Sequence, residues 1–140
     1  MLRLAASAAA ALLLTTLPAM AQTADSSVIL TFQTSARTGS VMVALYNSEA
    51  SYEGGAVAAH LAVPANGAVV ARFDHLPAGD YAVKSFHDVD GDGRMDTNPF
   101  GMPTEPYAFS NNAVGNMGPA RWERARFRVS GETAQTITLR

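Results

Sequence analysis

Within nine residues, Asp88-Val-Asp-Gly-Asp-Gly-Arg-Met-Asp96, the chain carries four carboxylates interrupted by Gly91 and Gly93. Such a stretch makes a poor strand and a poor helix, so the fold has to present it as a loop at the end of an element. Like charges this close together raise the cost of ionising one another. A hard divalent cation removes that repulsion, and Ca2+ accepts about six to eight oxygens in a flexible shell.

The spacing matches the first three quarters of a D-x-[DN]-x-[DN]-G calcium loop. Asp88, Asp90 and Asp92 would supply side-chain oxygens, and Gly93 the sharp turn. Arg94 would offer its backbone carbonyl, and Asp96 stands where a ligand often acts through water. Where an EF-hand has its bidentate Glu, this chain has Pro99, so the loop is not a complete EF-hand. The vacancy falls to Glu105, or to a backbone or Asn oxygen from residues 98–112 folding back. The alternatives leave Glu105 in solvent, or the whole stretch as a solvated turn without an ion. Mg2+ suits the loop less well, because it demands a tighter octahedron and keeps its waters.

Met1 to Ala21 reads as an export signal that is cleaved: Arg3, an apolar run from Leu4 to Leu17, and Ala19-Met20-Ala21 as an A-x-A site. The run is short for an uncleaved membrane anchor, and no second run is long enough to span a bilayer. The expected location is therefore periplasmic or extracellular. Residues 22–140 would form a single domain of 119 residues, with nine Lys+Arg against twelve Asp+Glu and a net charge of −3. That balance argues against non-specific nucleic-acid binding. With no Cys, an exported chain has no disulfides to rely on. Outside the cytosol even weak calcium sites, with dissociation constants of about 10⁻⁴–10⁻³ M, still fill.

Alternation between apolar and polar residues predicts strands over 28–33, 41–46, 57–63, 68–75, 80–87, 122–129 and 133–139. Val28, Leu30 and Phe32 share one face, as do Val69, Ala71 and Phe73, and Tyr81 and Val83 face the core. The second strand is apolar on both faces and so should be central. Asn47 or Ser48 could cap a short helical turn ended by Gly54-Gly55. Asn66-Gly67 suits a turn with positive φ. Residues 97–119 show no period; a loop this long is functional or disordered, and its aromatics argue against disorder. The expected architecture is all-β, an antiparallel β-sandwich of about seven strands, transthyretin-like or immunoglobulin-like, with a long irregular loop after the acidic one.

The block Leu76-Pro-Ala-Gly-Asp-Tyr-Ala-Val83, running into the acidic loop, resembles the turn-and-strand signature of transthyretin-like, carboxypeptidase-regulatory-like and collagen-adhesin B-type sandwiches. Calcium-loaded B repeats of some adhesins have a similar acidic loop. Extended through Asn98-Pro-Phe-Gly-Met-Pro-Thr-Glu-Pro-Tyr-Ala-Phe-Ser-Asn-Asn112, the pattern is closer still to a family of small exported bacterial proteins known as a domain of unknown function. That likeness covers essentially the whole mature chain. It implies an exported β-sandwich and supplies no reaction.

Three further groups draw notice. His87 with Asp88 and Ser110 could be imagined as a hydrolase triad, but no G-x-S-x-G elbow surrounds Ser110, and a strand-end histidine is the simpler reading. His60 and His75 have no ligand-spaced partners, which argues against zinc. If 122–129 is a strand, Trp122, Arg124, Arg126 and Arg128 form a stripe that could bind an anionic glycan, a lipid headgroup or an acidic protein. The simpler reading pairs those arginines with neighbouring carboxylates.

The expectation is an exported, non-enzymatic, calcium-binding module associated with the envelope or with a partner, its metal structural. The alternatives are a metal-supported hydrolase, or a calcium-dependent carbohydrate-binding accessory domain, using the 88–112 loop.

Overall fold

The computed structural model describes residues 25–140; the expected signal segment, residues 1–21, lies outside the described residues. Two sheets face each other. The strands are β1 (Ser26–Gln33), β2 (Ser40–Tyr46), β3 (Ala59–Pro64), β4 (Val69–Leu76), β5 (Gly79–Asp88), β6 (Tyr107–Phe109), β7 (Phe127–Val129) and β8 (Glu132–Thr138). One sheet has the order β4-β1-β8; the other runs β3-β2-β5-β6, and β7 also pairs β5. Short helices α1 (Glu49–Gly54) and α2 (Trp122–Ala125) complete the structure with a 3-10 turn at Ser110–Asn112.

The alternation read from the sequence decides which faces meet. Val28, Leu30 and Phe32 on β1 and Val69, Ala71 and Phe73 on β4 bury against Val41, Val43 and Leu45 of β2 and Tyr81 and Val83 of β5. The second strand is central, between β3 and β5. Ser48 caps α1, accepting from the Ser51 amide, and Gly55 at φ +80° ends it.

Three expectations need correction. The expected all-β sandwich is there, with eight strands, but β1 and β8 pair parallel, so it is not wholly antiparallel. The turn at Pro64–Gly67 is present, yet it carries the chain from one sheet to the other. No hairpin twist has to be matched there, and neither Asn66 nor Gly67 takes positive φ. Finally, residues 122–125 are helical and only 127–129 are strand. Trp122 is buried against Tyr52 at 5.8 Å between ring centroids, so it does not share a face with an arginine stripe. Burying an indole is worth more than continuing an exposed alternation. Arg126 and Arg128, on β7 and its border, both reach Asp80, at 3.0 and 3.6 Å.

The five-stranded sheet also buries part of its outer face. Tyr46, Ala82 and Phe109 pack there under Tyr52, Ala120, Trp122 and Ala125. The Tyr52 hydroxyl donates to the Ala120 carbonyl at 2.6 Å, and burial pushes its pKa up to about 12, so it stays a donor at any ordinary pH. Ser110 ties this layer to the sheet: it accepts from the Val83 amide at 2.8 Å and donates to the Ala125 carbonyl at 2.6 Å. Asn111 and Asn112, both left-handed, reach the other sheet. Asn112 donates to the Thr136 carbonyl and accepts from the Thr138 amide, covering the edge of β8.

Ser110→Ala takes the hydroxyl acceptor from the buried Val83 amide and one of two donors from the Ala125 carbonyl, which keeps the Asn111 side chain at 3.1 Å. The variant should lose about 1–3 kcal/mol of stability, measured as a lower urea midpoint at unchanged m-value.

Candidate metal centre

The acidic loop leaves the end of β5 at Asp88, which is 3% exposed. The Asp88 carboxylate folds the loop around itself: Oδ1 accepts from the amides of Gly91 (2.9 Å) and Asp92 (3.1 Å), and Oδ2 from Gly93 (2.9 Å). Gly91 and Gly93 both take positive φ, which explains their place among the aspartates. Asp90 accepts from the Asp92 amide, and Asp92 from the Arg94 amide at 2.7 Å.

The chain then turns back on itself. Asn98 organises the turn, its Oδ1 accepting from the amides of Phe100 and Met102, and the Asp96 carbonyl accepts from the Thr104 amide. Pro99 lies exposed at the tip. This turn delivers Glu105 to the root of the acidic loop, where it is 8% exposed. Its Oε1 accepts from the Val89 amide at 2.8 Å and its Oε2 from the Asp96 amide at 3.1 Å. Glu105 is thus against the loop and not in solvent.

Two overlapping groups of carboxylate oxygens result. One oxygen each from Asp88, Asp90 and Glu105 lies within 4.8 Å of the others, and the same holds for Asp90, Asp92 and Asp96. Asp90 belongs to both. Among the described residues, none of these five carboxylates has a Lys, Arg or His partner within 4.0 Å. The Asp96 carboxyl is pushed above the ordinary aspartate range, first by desolvation, then by the charges of Asp90, Asp92, Glu105 and Asp88. Hard oxygen donors alone, negative in sum and clustered, are the donor set of Ca2+ or Mg2+ and not of a soft metal. The Arg94 amide is tied to Asp92, and the Arg94 side chain is exposed.

The root of the loop is tied to the β1–β2 connection. His87, wholly buried, hands its Nε2 hydrogen to the Thr38 carbonyl at 2.6 Å, and its Nδ1 meets the Thr34 hydroxyl at 2.6 Å. Both ring nitrogens are therefore occupied, and Ser110 is bonded elsewhere, so the imagined triad does not assemble. Sequence reasoning did not foresee Thr34 or Thr38 in this role. Gly39, at φ +68°, lies so close that a Cβ would sit 1.8 Å from the Asp88 carbonyl oxygen. Gly39→Ala should therefore displace the β1–β2 loop from the acidic loop and cost about 2 kcal/mol or more in urea unfolding; an unchanged midpoint would contradict the close approach.

No curated protein and no solved structure matches the chain. A family model does match, over residues 32–138, which takes in every strand from β2 onward and every carboxylate of the cluster. The chain belongs to that family, described as an uncharacterized protein conserved in bacteria (DUF2141).

Proposed function

We propose that this protein is an exported, non-enzymatic β-sandwich module that binds one structural Ca2+ between its acidic loop and the turn that follows. The observation that carries the reading is the return of Glu105 to Asp88 and Asp90. It brings a carboxylate to the loop where Pro99 has none to give. Asp88, Asp90, Asp92, Asp96 and Glu105 would be the side-chain donors, and the Arg94 carbonyl would complete the shell. The ion would neutralise a cluster that has no basic partner among the described residues, and it would join residues 88–96 to residues 97–105. Ser110 and His87, engaged in the fold, offer no serine-type triad; a metal-supported hydrolase would have to draw its nucleophile from a metal-bound water. The likeness of Leu76–Val83 to transthyretin-like and collagen-adhesin sandwiches is kept as an architectural proposal.

Export follows from Met1 to Ala21 as a cleaved signal; N-terminal sequencing of the protein recovered outside the cytosol should begin at Gln22. Among the described residues no helix is long and apolar enough to cross a membrane.

Calcium at about ten times its dissociation constant should raise stability by roughly 1.4 kcal/mol, visible as a higher melting temperature that EDTA reverses. Glu105→Ala should weaken calcium binding by about an order of magnitude in calorimetry; an unaltered affinity would remove Glu105 from the shell.

The sign of the pH dependence is set by Asp96, whose folded pKa is raised. A raised carboxyl favours its protonated form, so the metal-free protein gains stability from this group as pH falls through that pKa. Calcium needs the ionised form and is released over the same interval. The calcium-dependent gain in melting temperature should therefore fade on acidification before ordinary aspartates titrate. A gain that persists until their range would count against Asp96 as a ligand.

A further inference from the structure

The outer face of the five-stranded sheet is covered at one end only. Register aligns His60, Ala44, Lys84 and Phe109 in one row across it, and Ala62, Met42, Phe86 and Tyr107 in the next. The helices and the aromatic cluster cover the end at Tyr46 and Ala82. Beyond them the sheet forms the floor of an open cleft of about 930 Å³. That size is within the range of small-molecule sites.

The lining has a distinct chemistry. Met42, Phe86, Tyr107 and Phe109 make the floor, and Met95, Phe100, Met102, Met117 and Pro119 line the cleft above it. Phe100 is 90% exposed and Met117 fully so, a costly arrangement on a surface with nothing to cover it. Methionines are flexible and polarizable, so they adapt to an apolar guest. Among the described residues no Asp or Glu lines the cleft, and Lys84 and His60 are its basic residues.

Lys84 is the polar anchor. Its ammonium lies 4.2 Å from the Tyr52 ring centroid and 5.1 Å from that of Tyr46, and it donates to the Tyr52 carbonyl at 2.6 Å. An ammonium has three donors, so two remain. No carboxylate is within 4.0 Å of it among the described residues. Burial holds its pKa below the ordinary lysine value, opposed by the more distant charge of Glu53. A cation partly desolvated at the end of an apolar trough complements a molecule with an anionic head and an apolar tail.

We propose that this cleft binds a single-chain amphiphilic carboxylate of the fatty-acid class, its head on Lys84 and its tail along Met42 and Phe86 among the other methionines that line the cleft. The proposal does not depend on the cation: none of the five clustered carboxylates lines the cleft.

The test is calorimetric titration of the purified protein with laurate below its micellar concentration, with dodecanol as the neutral control. Laurate should bind saturably, and dodecanol more weakly. Lys84→Met, which keeps the stem and removes the charge, should weaken laurate by about tenfold or more and leave dodecanol unaffected. Met102→Asp, at an exposed rim position where the fold is not at stake, should weaken laurate more than dodecanol. The proposal is overturned if laurate binds no better than dodecanol, or if both variants bind laurate as the parent does. It is also overturned if sedimentation shows a dimer that laurate does not dissociate, which would assign the face to a second copy of the chain.

Discussion

One carboxylate, that of Glu105, accepts from two backbone amides that belong to opposite ends of the acidic loop, Val89 and Asp96. The course of residues 89–106 depends on this clasp. Without it, the segment between β5 and β6 would be a long excursion with only its own turn to hold it, and its closure entropy would favour many conformations. With it, the segment enters and leaves at the same point on the sheet. The His87 amide bonds the Pro106 carbonyl, and β6 can then pair with β5. The clasp has an electrostatic cost, because it brings a fifth negative charge to four others with no basic partner nearby. A fold that draws like charges together, in place of letting them spread into water, is coherent when a cation enters the same space. Asp88 argues in the same direction. Its carboxylate already satisfies three loop amides, so the loop is shaped ahead of any ion, and binding would require little reorganisation.

The inner faces of the strands were legible because each alternates about a single buried side, as in Val28, Leu30, Phe32 and in Val69, Ala71, Phe73. Pairing was not. Whether two strands that follow one another form a hairpin or part company depends on which sheet the intervening turn enters. Nothing local to Pro64–Gly67 or to Ser130–Glu132 distinguishes the two, and in both places the chain changes sheets. The parallel pairing of β1 with β8 is a consequence of those crossings. Trp122 misled for a related reason. Trp-Glu-Arg-Ala-Arg-Phe-Arg alternates well enough for a strand, and only Tyr52, 70 positions earlier, provides the ring against which the indole turns inward.

The candidate site was legible in part. The spacing of the aspartates and the gap at Pro99 pointed to a ligand from later in the chain, and Glu105 does come to the loop. What brings it there is the Asn98 side chain capping a tight turn, whose outcome in space does not follow from the distance along the chain. The supports beside the root of the loop, Thr34, Thr38 and Gly39, lie in a connection with no signal beyond an ordinary turn.

The same excursion has a second consequence on the other side of the sheet. Met95 belongs to the acidic stretch, and Phe100 and Met102 to the Asn98 turn, yet all three line the apolar cleft. The chain that gathers negative charge at its root thus lays apolar side chains over Met42 and Phe86 a few residues further on. Its polar and apolar halves cannot be positioned independently, because Asn98 and Glu105 hold both.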